Sequence, residues 1–88
     1  MIKVRGLIWD DWNKKHLANH SVTPEEVEEV CHSKFRAVTS YRGRIQLMGK
    51  TKKGRGLIII LSPEGRDLKP YGNDIYYVIT AFEEVQEL

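Results

Sequence analysis

The chain has 88 residues, 41% hydrophobic and 30% charged, with a net charge of +2. That suffices for one domain spanning residues 1–88, and it is too apolar for a disordered segment. A single cysteine, Cys31, excludes an internal disulfide framework and points to a reducing, cytoplasmic setting. The longest apolar run, Leu57 to Leu61, is far short of the ~20 residues of a membrane span, and no secretory h-region follows Met1.

Ile2 to Trp9 reads as a first strand, with Lys3 and Arg5 alternating outward. Asp10 is placed to cap a helix running to about His20, because its carboxylate can accept the orphan amides of the first turn. On that helix Trp12, His16 and His20 recur every four residues and share one face, with Leu17 beside them and Lys15 near its edge. Thr23-Pro24-Glu25-Glu26 is a capping box opening a second helix, with Val22 and Val27 as its hydrophobic staple and an end near His32 or Ser33. Val27, Val30 and Cys31 form its buried stripe.

Strands follow. Phe35 to Tyr41 is a short one, and Ile45 to Met48 is closed by Gly49. Lys50 to Gly56 reads as a basic hairpin turn. Leu57 to Leu61 is apolar on both sides, which predicts a central strand covered on both faces. After a polar loop, Ile75 to Thr80 is the last strand, and Ala81 to Glu87 is expected as a closing helical turn with Phe82, Val85 and Leu88 on one side. The order predicts an α+β domain: an N-terminal strand, two helices, then an antiparallel three- to four-stranded meander.

Charge is unevenly spread. The second helix holds Glu25, Glu26, Glu28 and Glu29, whereas residues 32–56 carry eight cations and no acid. Such a block points to an anionic partner, either RNA or an acidic protein segment, although lysines in a hairpin turn are also expected simply to be solvated.

Metal-free RNA cleavage needs a base for the 2′-OH, an acid for the leaving 5′-oxygen, and cations for the phosphorane charge. Imidazole populates both protonation states near neutral pH, so His16 and His20 can supply base and acid. Arg44, Arg42, Lys50 and Lys15 can hold phosphate, and Tyr41 or Tyr77 can stack on a base. The competing reading has both histidines packing beside Trp12 and bonding to backbone. A zinc site built from His16, His20 and Cys31-His32 is disfavoured, because the His-x-x-x-His spacing lacks the intervening glutamate, so no metal or other cofactor is expected. Trp9 and Trp12 are expected in the core.

Several stretches together resemble the BrnT family of type II toxins. They are Ile8-Trp9-Asp10, His16 to His20 followed by Ser21-Val22, Thr23 to Val27, Arg44 to Lys50, and Tyr76 to Ala81. The resemblance implies a RelE-like fold, a metal-independent endoribonuclease activity, and a cognate antitoxin that neutralises it. Ser21 stands where the family usually has glycine, and Tyr77 and Phe82 stand where its last strand carries arginines. An alternative is therefore a catalytically impaired relative that binds RNA or protein. RNA and an antitoxin are the expected partners, with a homodimer as a further way for so small a domain to cover surface.

Overall fold

A computed structural model describes residues 2–84. The elements are β1 (Gly6–Ile8), α1 (Asp11–Ala18), α2 (Pro24–Cys31), β2 (Phe35–Thr39), a single 3₁₀ turn (Tyr41–Gly43), β3 (Ile45–Lys50), β4 (Gly56–Ser62) and β5 (Ile75–Glu83). They build one five-stranded sheet in the order β1-β5-β4-β3-β2. The four later strands pair antiparallel as a meander, and β1 joins β5 in parallel. This is the α+β layout that the order of elements predicts, with the N-terminal strand lying at the edge of a four-stranded meander.

Both helices begin where the sequence places their caps. Thr23 Oγ1 accepts from the Glu26 amide at 3.2 Å, and Glu26 returns the bond to the Thr23 amide at 3.1 Å. At α1 the box is Asp10 with Asn13: Asp10 accepts from the Asn13 amide at 2.8 Å, and the Asn13 side chain accepts from the Asp10 amide at 2.9 Å. α1 stops at Ala18, short of His20, and the chain turns at Ser21 with φ of +58°. A glycine would hold that left-handed conformation without steric cost.

The core lies between the helices and one sheet face. Leu17, Val27, Val30 and Cys31 meet Ile45, Leu47, Leu57, Ile59, Leu61, Val78 and Ala81. Gly49 does not close β3; the strand runs through it to Lys50. A Cβ there would lie 2.7 Å from Val30 Cγ1, so the missing side chain is what lets α2 approach the strand.

Three expectations change. β1 is limited to three residues, because only Gly6, Leu7 and Ile8 find partners on β5. β4 is the central strand, but the helices cover one face only, and Ile58 and Ile60 on the other are half-buried. The closing helical turn is absent from residues 81–83, which continue β5 opposite Leu57, Ile58 and Ile59. Phe82 is thus a strand residue, and Val85 and Leu88 lie outside the described residues.

Candidate nucleic-acid interface

Strand period and register define the helix-free face. Because Ile45, Leu47, Leu57 and Ile59 point into the core, Gln46, Met48, Ile58 and Ile60 point the other way. Register aligns Arg36, Met48, Ile58 and Phe82 as one row across β2 to β5, and Val38, Gln46, Ile60 and Thr80 as the next. Val38 is exposed, as is Arg36. The face is an apolar floor with polar and cationic borders.

One border belongs to α1. Since β1 pairs only as far as Tyr77, the edge of β5 beyond it is left to the helix. Asn13 closes that edge: fully buried, it donates through Nδ2 to the carbonyls of Ile8 at 2.9 Å and Val78 at 3.1 Å. This seat turns Leu17 into the core and sends Trp12, His16 and His20 along the other side. Trp12 and His16 stack nearly parallel, with centroids 5.3 Å apart. His16 meets His20 edge-on at 5.3 Å, and His20 tilts against Phe82 at 6.2 Å. At the opposite end the Arg66 guanidinium lies 5.2 Å above the Trp12 ring. The result is a column, Arg66–Trp12–His16–His20–Phe82, running along the β5 border. His16 is half-buried and His20 exposed. Trp12 is 47% exposed, which corrects the expectation that it belongs to the core; Trp9 does pack against the core.

The other candidate residues divide between the two ends of β3. Arg44, with Arg42 and Tyr41 in the preceding turn, lies at the start of the strand, and all three are exposed. Arg44 and Trp12 line the same groove, of about 330 Å³. Lys50 lies at the far end, six residues on, or ~20 Å at strand rise. The structure therefore groups Arg44 with the Trp12 end of the column and leaves Lys50 outside that group. Lys15 is exposed on α1.

Tyr77 serves differently from the stacking role expected of it. It is 5% exposed, and its hydroxyl proton is shared between Asp10 Oδ1 at 3.1 Å and Oδ2 at 2.9 Å. Burial and that bond push the Tyr77 phenol up to about 12. The Asn13 amide in turn holds the Asp10 carboxyl below its ordinary value, against a smaller opposing effect of burial and with help from the Tyr77 hydroxyl. Tyr77 thus anchors the N-terminus of α1 and offers no free ring face to a base.

The basic block is partly neutralised within the fold. Arg55 pairs with Glu26 at 2.9 Å and Glu83 at 2.6 Å, and the Lys52 amide donates to Glu29. Burial alone would raise the Glu26 carboxyl, but hydrogen bonds from Arg55 and from the Thr23 amide outweigh it and hold the group below its usual range. Of the four α2 glutamates, Glu26 and Glu29 thus meet the hairpin, a contact that the charge pattern alone does not reveal. Arg66 is a cation that sequence reasoning missed, and Arg36 is counted in the basic block without being singled out. Arg36 becomes visible only through the β2–β3 register, and Arg66 only once its loop folds over Trp12.

Cys31 is 3% exposed, and burial beside Glu28 pushes its thiol up to about 12, which suits a core residue. Among the described residues no three His, Cys, Asp or Glu side chains are grouped to hold a metal, and no helix is long and apolar enough to cross a membrane. No family model, curated protein or solved structure matches the chain.

Proposed function

We propose that this chain is a BrnT-like toxin that cleaves single-stranded RNA in the cytoplasm without a metal and is silenced by a cognate antitoxin. The observation that carries the reading is the pair of imidazoles 5.3 Å apart on the border of a helix-free sheet face. Arginines Arg44 and Arg66 sit at the near end of the same column.

One imidazole of the pair takes the proton from the ribose 2′-OH as the 2′-oxygen attacks phosphorus. The other gives its proton to the departing 5′-oxygen, leaving a 2′,3′-cyclic phosphate and a free 5′-hydroxyl. His20, the more exposed ring, meets the reacting phosphate, and His16 is held in place between Trp12 and His20. Lys15 neutralises a flanking phosphate, while Arg44 holds the RNA from the groove it shares with Trp12.

The test is cleavage of a labelled single-stranded RNA in excess chelator. His20→Ala and Arg44→Ala should each abolish cleavage while shifting the thermal transition little, since both side chains are exposed. Loss explained by unfolding, or cleavage that survives both substitutions, rejects the assignment. Expression without the antitoxin should arrest bacterial growth, and RNA affinity should fall steeply with salt as counterions are released.

A second reading rests on Phe82, an apolar ring against His20 where the resembling family carries arginine. Under it the face binds RNA or protein but cleaves poorly. Phe82→Arg then gives new or increased cleavage; under the first reading it leaves cleavage near its starting rate.

A further inference from the structure

The groove at the Trp12 end of the column gathers groups that take no part in the two proton transfers. Its floor includes Tyr77 and Ile79 of β5, and its walls are Trp12, Arg44 and the loop that carries Glu64 and Arg66. About 330 Å³ is at the low end of small-molecule sites and fits one base with part of its sugar.

Among the described residues no ion pair engages Arg44, Arg66 or Glu64, although two cations and a carboxylate line one cavity. The loop is also fixed. Ser62 Oγ donates to the Glu64 carbonyl at 2.8 Å and accepts from its amide at 3.2 Å, and Glu64 bridges to Pro70. A Cβ on Gly65 would lie 2.6 Å from Tyr71 Oη, so the loop closes tightly on itself and presents its neighbours Glu64 and Arg66 at the rim.

We infer that this groove is a base subsite and that its base is guanine. Guanine is the one base that offers two adjacent donors, N1–H and the 2-amino group, to a carboxylate and two adjacent acceptors, O6 and N7, to a guanidinium. Glu64 and Arg44 are those two complementary groups. The Arg66 guanidinium lying over Trp12 supplies the surface for the base face, in the way single-stranded RNA is held by aromatic rings and guanidinium planes. This deepens the RNA reading and relies on it only for the polymer; the subsite itself can be tested with free nucleotides.

The experiment is an amide and indole NMR titration of the full chain with GMP, IMP, AMP, CMP and UMP, following the Trp12 indole N–H against that of Trp9. GMP should bind at least about tenfold more tightly than AMP, CMP and UMP, with shifts at Trp12 and residues 62–71. IMP, which lacks the 2-amino donor, should fall between. Glu64→Gln should bring GMP close to AMP while the rest of the spectrum is unchanged; should that variant fail to fold, the GMP–IMP difference in the unaltered chain decides. Equal affinities for the five nucleotides, shifts that bypass Trp12, or displacement of GMP by inorganic phosphate at the same concentration as GMP itself would each overturn the subsite. Guanine preference without RNA cleavage keeps the subsite and rejects the ribonuclease. Cleavage without guanine preference does the reverse.

Discussion

Replacing Asn13 by alanine tests how the imidazole column is positioned. The side chain is fully buried and makes three bonds: it donates to the Ile8 and Val78 carbonyls and accepts from the Asp10 amide. Each such bond contributes about 1 kcal/mol net, and a buried group left unpaired costs about 1–3 kcal/mol. The Val78 carbonyl is the one with least access to water. Summing these effects gives a loss of about 3 kcal/mol, a large part of the stability of an 88-residue domain, where about 0.05–0.15 kcal/mol per residue is usual. At about 4–8 °C per kcal/mol the melting temperature should fall by about 15 °C. Urea unfolding followed by circular dichroism should show a lower midpoint with the slope unchanged. Asn13→Asp sharpens the test: it keeps size and the acceptor for Asp10 but turns an oxygen toward two carbonyls, so it should cost at least as much at neutral pH. A loss below about 1 kcal/mol in both variants would refute the claim that this amide seats α1 on the β5 edge.

Other predictions follow from single contacts. Gly49→Ala forces a Cβ to 2.7 Å from Val30 Cγ1 and should destabilise by about 1–3 kcal/mol in the same assay, with Val30→Ala in the same chain restoring part of the loss. The Tyr77 phenol titrates higher in the folded chain, at about 12, than its ordinary 10.0, so its contribution is whole below pH 10 and is lost as pH rises through 12. Tyr77→Phe should therefore flatten the alkaline limb of a stability–pH curve, and an unchanged limb would count against the Asp10 bond. Glu26, held below its ordinary 4.5, contributes stability above that pH and loses it as pH falls through the folded value; Glu26→Gln should cost about 1 kcal/mol at pH 7 and make the acid limb shallower below pH 4.5.

Local signals in this chain were legible because they are closed within a few residues. The Thr23–Glu26 box, the Asp10 cap and the apolar run of β4 each determine structure without help from distant sequence. What failed to show depends on register or on long-range approach. Gly49 looks like a stop until α2 is placed over it, and Asn13 looks like an ordinary helix residue until the carbonyl of Val78, 65 positions away, arrives above it. Tyr77 and Trp12 exchanged expected places for a related reason. Residue type alone suggests a stacking tyrosine and a core tryptophan, and only the β5 edge decides that the tyrosine lies under α1 while the tryptophan stays at the border.

The same edge accounts for where the proposed RNA contacts lie. The central rows Met48–Ile58–Phe82 and Gln46–Ile60–Thr80 contain a single aromatic ring, so bases have little to stack on across the middle of the sheet. Planar groups are concentrated instead along β5, where a three-residue β1 stops early and a two-turn helix fills the rest of the edge. A longer β1 would have paired with Val78 and beyond and displaced α1, and with it Trp12, His16 and His20, from the open face. Shortening the first strand is thus the structural condition for placing two imidazoles and an arginine-capped indole in line on that face, and the sequence enforces it at Asp10, whose side chain starts the helix where pairing would otherwise continue.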